Sequence, residues 1–189
     1  MGGIMKNKFI QIVFPFAVLM LRPLPTDSLE LVIGDERFEP GIIAIFEGAI
    51  KDHIKPESLH LEEALTQVHI EARVNWDEQK IPAGAPGGGF VPYLHITALV
   101  TNQNTGLRTF IDLLPHINLI DNFHYARNIS LPGSPEDLYT VRFNILPPAD
   151  VELGLHKDWV DTFGKGLFQE IGFKYTDVDF SEIASASRR

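Results

Sequence analysis

Residues 68–76 read Val-His-Ile-Glu-Ala-Arg-Val-Asn-Trp, with Val68, Ile70, Ala72, Val74 and Trp76 alternating with His69, Glu71, Arg73 and Asn75. Only an extended chain places all five apolar side chains on one face, so the stretch predicts a β-strand with one face in a core. The other face carries chemistry. His69 and Glu71 project from it two residues apart, about 6.5–7 Å along the strand, so an imidazole and a carboxylate can converge on one ion. A merely solvated face would carry the same residue types, so the pair gains meaning only from the rest of the chain.

The same period recurs further on. Tyr139, Val141, Phe143 and Ile145 alternate with Thr140, Arg142 and Asn144 until Pro147 and Pro148 stop the run. Residues 29–33 and 42–46 read as short strands around a turn-rich 34–41. Residues 90–101 predict a strong strand, 102–106 a hairpin loop ending in Gly106, and 107–114 its antiparallel return. Residues 167–175 and 178–180 predict a closing strand or pair. Between these, 51–67 carries a weak helical pattern at Leu59, Leu61, Ala64 and Leu65, and 81–89 is a Gly/Pro loop without the context of a phosphate cradle. Segments 115–127 and 149–166 read as irregular. Short strands punctuated by Gly and Pro, with almost no helical periodicity, predict an all-β protein built as a two-layer sandwich.

At 189 residues, 44% of them hydrophobic, the chain holds one ordinary core. Residues 1–26 stand apart: Lys6 and Lys8 precede an apolar run from Phe9 to Leu21, and Arg22, Pro23 and Pro25 end it. That is the shape of a signal-peptide-like leader, and the run is too short for a spanning helix. The predicted organisation is a leader over 1–26, one domain over 27–180 and a frayed polar tail over 181–189. The formal charge of −9 falls further without the three basic residues of the leader, which disfavours nucleic acid and anionic lipid as partners. The absence of cysteine excludes disulfides, thiolate zinc sites, a cysteine nucleophile and a His₂Cys copper centre. With no serine-nucleophile elbow and no glycosidase-like carboxylate pair, the chain is expected not to be an enzyme.

Histidine concentrates in the irregular segments. His116 and His124 lie in the first and His156 in the second, so that His69, Glu71, His116, His124 and His156 form a candidate metal set, although none matches a local zinc spacing. His53, His60 and His95 read as ordinary polar residues. Arg73 shares the face of His69 and Glu71 and is expected to compete for the Glu71 carboxylate.

The order of motifs is informative. A strand His-Ile-Glu-Ala is followed by Phe90-Val91-Pro92-Tyr93-Leu94, by Asn104-Thr105-Gly106, and by Leu113-Leu114-Pro115-His116 with Phe123-His124-Tyr125-Ala126-Arg127-Asn128. Pro147-Pro148 and Gly154-Leu155-His156 come last. The chain so resembles the periplasmic ferrous-iron transport protein family, copper-binding partners of high-affinity iron permeases. The resemblance implies an immunoglobulin-like β-sandwich that forms a homodimer. It implies metal ligands at His69, Glu71, His124 and His156, the last supplied by either subunit, with His116 where the family carries methionine. It implies copper as Cu(II), with iron, zinc or manganese as alternatives, a periplasmic or otherwise exported location, and an inner-membrane iron permease as partner. Imidazole in place of a thioether weakens Cu(I) and suits Cu(II), Zn(II) or Fe(II). Two other classes fit the residues: a His-ligated copper or zinc enzyme, and an interaction module whose site Arg73 has disabled.

Overall fold

The computed structural model describes residues 29–187; the leader-like segment lies outside the described residues. Eight antiparallel strands follow in chain order: β1 (Glu30–Phe38), β2 (Ile42–Ala49), β3 (Val68–Trp76), β4 (His95–Asn102), β5 (Arg108–Ile117), β6 (Phe123–Ile129), β7 (Leu138–Leu146) and β8 (Ile171–Asp179). Helix α1 (Lys157–Phe163) joins β7 to β8, and helix α2 (Ser181–Ser185) follows β8. The strand order is β1-β2-β3-β6-β5-β4-β7-β8. This is the expected all-β, immunoglobulin-like sandwich. Among the described residues no helix is long and apolar enough to cross a membrane.

One strand belongs to both layers. In β5, residues 108–113 pair with β4 and residues 114–117 pair with β6, so the chain changes layer at Leu113–Leu114. The layers meet through their alternating apolar positions: Ile70, Ala72, Val74, Ala44 and Phe46 from one, Ala98, Val100, Val141, Phe143 and Ile145 from the other, all fully buried. Phe46 and Phe143 stack across the interface with centroids 4.1 Å apart and planes 14° apart, which joins the two layers through a contact worth about 0.5–1.5 kcal/mol beyond the buried area.

Several boundaries differ from the sequence expectations. The turn expected over 34–41 shrinks to three residues, because β1 continues past a register shift at Val32–Gly34. There a side chain on Gly34 would collide with the Tyr175 ring. Residues 51–67 form no helix of ordinary length, only two 3₁₀ turns, Glu57–Leu59 and Glu63–Leu65. The 149–166 segment contains α1, anchored where Trp159 meets Trp76 edge-on at 6.3 Å. The expected fraying from residue 181 does not hold for α2, since Ile183 is buried beside the fully buried Phe180.

The largest difference concerns 115–127, expected to be irregular. It is the end of β5, a five-residue turn and most of β6. β6 shows no apolar-polar alternation because both its faces are covered: Tyr125 is buried inward, while His124, Ala126 and Asn128 are buried outward. Tyr125 is further fixed by its hydroxyl, which donates to the Val91 carbonyl at 2.8 Å and accepts from the Leu94 amide at 3.1 Å.

Candidate metal centre

Strand register assembles the site on the outer face of the first layer. His69 pairs with Asn128 and Glu71 with Ala126 across β3 and β6, and His116 stands directly opposite His124 across β5 and β6. Because side chains alternate, residues 69 and 71, 124, 126 and 128, and 116 all face the same way. Ala126, between the histidines and opposite Glu71, contributes only a methyl group, which leaves room in the middle.

That face is not solvated. Residues 51–67 cross it as a strap, and His69, Glu71 and His124 are each only 2% exposed. The strap is tied down by Asn128, whose amide nitrogen donates to the Asp52 carbonyl at 2.8 Å and the Leu61 carbonyl at 3.0 Å. Two carbonyl acceptors fix which way the amide points. Its oxygen therefore faces His69 Nδ1, 2.7 Å away, and must accept, so the His69 proton sits on Nδ1 and Nε2 keeps its lone pair. His124 is fixed in the same sense: its Nδ1 lies 3.1 Å from the Asn122 carbonyl, which can only accept. The turn that supplies this carbonyl is set by Asn118, whose side-chain oxygen accepts from the Ile120 and Asp121 amides at 2.9 and 2.6 Å, with Asn122 at φ 63°.

His69, His116 and His124 each place a nitrogen within 4.8 Å of the others. His69 Nε2 is 3.4 Å from Glu71 Oε1. Burial, reinforced by the negative charges of Asp121, Glu47 and Glu30, pushes the Glu71 carboxyl up to about 8, so it carries a proton at neutral pH. Burial lowers His116 to about 3, with neighbouring His69, His60 and His124 adding to the effect, and lowers His124 as well. Both therefore offer neutral imidazoles at pH 7. His116 Nε2 is shielded from solvent and has no hydrogen-bond partner among the described residues. Three imidazoles, two of them held neutral and two fixed in orientation by the scaffold, with an orphaned nitrogen and an adjacent carboxyl, are a donor set that fits Cu(II), Zn(II) or Fe(II).

Arg73 does not engage Glu71. Its guanidinium donates to Glu47 Oε1 at 2.7 Å and lies 3.9 Å from Asp121, because Glu47 of β2, two residue pairs away on the same face, is buried and needs a counter-charge. The expected competition for the Glu71 carboxylate is thereby corrected. His156 is not brought to the cluster in this chain: it is the exposed residue preceding α1, and it does not line the cavity that holds the other three histidines. The sequence singled out neither Asn128, Glu47 nor Asn122, which act through orientation and charge rather than as ligands.

Two expectations follow. Asn128→Ala frees the His69 tautomer and releases the strap, and is expected to weaken metal affinity by about 10–100-fold, read by competitive titration, with the far-ultraviolet spectrum unchanged. His116, buried neutral, costs the metal-free protein stability as pH falls from 6.5 toward about 3, since the unfolded chain binds that proton first. In His116→Gln the stability lost over this window is expected to be smaller, measured by urea unfolding at pH 7 and pH 4.5.

The family profile of the Fe2+ transport proteins matches residues 27–182. The chain belongs to that family. A copper-bound variant of P19 from Campylobacter jejuni superposes with a TM-score of 0.66 at 26% identity, over 78% of this chain and 96% of that one. Copper-bound FetP from uropathogenic Escherichia coli superposes with a TM-score of 0.64 at 22% identity, over 78% and 95%, which shows the shared fold. The 34 kDa membrane antigen of Treponema pallidum is 32% identical over 90 residues, 48% of this chain but only 43% of the antigen's length. This member of the Fe2+ transport family thus carries its histidine cluster on the same β-scaffold as proteins crystallised with copper.

Proposed function

We propose that this chain is an exported metal-binding component of iron uptake, holding one divalent ion at His69, His116 and His124, with Glu71 beside it. The observation that carries the proposal is the convergence of three imidazole nitrogens within 4.8 Å under a strap. When bound, the ion would supply a Lewis-acidic or redox-active centre. The residues position it: Asn128 and the Asn122 carbonyl aim the two Nε2 lone pairs, and the strap limits water. Imidazole in place of sulfur favours Cu(II) and Fe(II) over Cu(I), with zinc and manganese as weaker claims. The copper-bound P19 relative supports copper, and the family supports iron as cargo.

A homodimer is supported by the exposed apolar tip of the β5–β6 hairpin beside the cluster, Ile117, Leu119, Ile120 and Phe123, and a second copy would be the source of His156. Export to the periplasm is supported by the leader-like segment, and delivery to an inner-membrane permease by the family. The disabled interaction module loses its premise, since Arg73 pairs with Glu47. Dialysis of metal-free protein against Cu(II), Zn(II) and Fe(II), followed by metal analysis and sedimentation, is expected to find about one ion per chain at this one cluster and a dimer. Protein free of all three metals would refute the proposal.

A further inference from the structure

The 51–67 strap walls one side of the cavity over the buried cluster, and a buried metal site needs an entry path. The strap carries two histidines. His53 is at its outer, exposed part, with Nε2 3.4 Å from Glu57 Oε1. His60 lies further in and is half-buried; its ring meets that of His116 edge-on, with centroids 4.9 Å apart and planes 79° apart.

The nitrogens of this pair are the telling feature. Among the described residues, His60 Nδ1 and His116 Nε2 are both shielded from solvent and both lack a hydrogen-bond partner. Leaving a polar atom buried and unpaired is unfavourable, and here two such atoms occur on rings in edge-on contact. Both rings line one cavity of about 710 Å³ together with His69, Glu71 and His124. His53 is exposed, His60 and His116 are half-buried, and His69 and His124 are 2% exposed. His60 does not belong to the group whose nitrogens all lie within 4.8 Å of one another; it stands on the outer side of His116.

We propose that His60 and His116 form an outer metal station, at which an incoming divalent cation is held by two imidazoles before it moves inward to His69, His116 and His124. His116 is common to both positions. The transfer is a ligand exchange with no change of oxidation state: one His60–metal bond breaks as bonds to His69 and His124 form, and water leaves the ion. Because His116 stays in reach throughout, the ion is never without a protein ligand. This proposal rests on the reading of the inner cluster as a metal centre.

Stopped-flow mixing of the metal-free protein with Cu(II), together with the electron paramagnetic resonance spectrum at equilibrium, tests it. His60→Phe keeps an aromatic edge against His116 and removes the donor. Loading is expected to slow by about tenfold or more, while stoichiometry and the final spectrum stay those of the parent. Leu59→Ala, which trims the neighbouring strap side chain in the same cavity, is expected to load at the parent rate. In His69→Ala/His124→Ala a weak copper signal of low nitrogen content is expected to remain and to vanish on adding His60→Phe. The proposal is overturned if His60→Phe loads at the parent rate, if Leu59→Ala slows loading equally, or if His60→Phe alters the final spectrum, which would make His60 a resident ligand. If His69→Ala/His124→Ala keeps the parent spectrum, the inner centre itself is wrong, and the outer station falls with it.

Discussion

Replacing His69 and His124 together by alanine is expected to remove tight Cu(II) binding. The two residues hold two of the three converging nitrogens, and theirs are the tautomers that the scaffold imposes through Asn128 and the Asn122 carbonyl. The loss is expected to exceed the roughly 10–100-fold that removal of a supporting residue costs, because His116 alone cannot chelate. Stability should not fall in step. Both substitutions remove imidazoles from the outer face of the layer, and the inward apolar face of β3 is untouched, so the metal-free variant is expected to keep its secondary structure and a cooperative transition. Unchanged affinity in a folded double variant would mean that the cluster is not the binding site.

The second large effect is on the fold. Val141 is fully buried in β7, paired with Val100 of β4 on one side and Tyr175 of β8 on the other. In Val141→Asp a carboxylate would enter the interface between layers with no partner within it, a change in the class that costs more than about 4–5 kcal/mol. A domain of this size has about 5–15 kcal/mol in total, so the variant is expected to be largely unfolded or to show a much lower urea midpoint. Phe46→Ala is expected to cost about 3–5 kcal/mol through loss of the stack on Phe143. A Val141→Asp protein with the parent's midpoint would contradict the assignment of β7 to the core.

β3 and β7 are legible in the sequence because apolar and polar residues alternate in both: the outer face of β7 is partly exposed, and in β3 the outer positions, although covered at His69 and Glu71, are filled by polar residues. β6 is not. The strap covers its outer side and the sandwich its inner side, so His124, Ala126 and Asn128 are buried along with Tyr125, and the period disappears. The candidate ligands His69, Glu71, His116 and His124 could be named from the sequence because their types are those that bind metals. Their arrangement could not, because it depends on the β5–β6 register that sets His116 opposite His124. Arg73 was misassigned for a related reason: its partner Glu47 is 26 residues away and adjacent only through β2–β3 pairing. The orienting role of Asn128 depends on contacts with Asp52 and Leu61, 76 and 67 residues distant, which no local pattern carries.

One ion is proposed to sit among the imidazoles of a single strand-borne cluster. Electron paramagnetic resonance of the protein loaded with one equivalent of Cu(II) measures this directly, through the nitrogen couplings around the ion. A nitrogen-rich signal that accounts for His69, His116 and His124, and that loses nitrogens when any of the three is replaced, is the predicted result. A signal with oxygen ligands only, or one indifferent to all three substitutions, would contradict it.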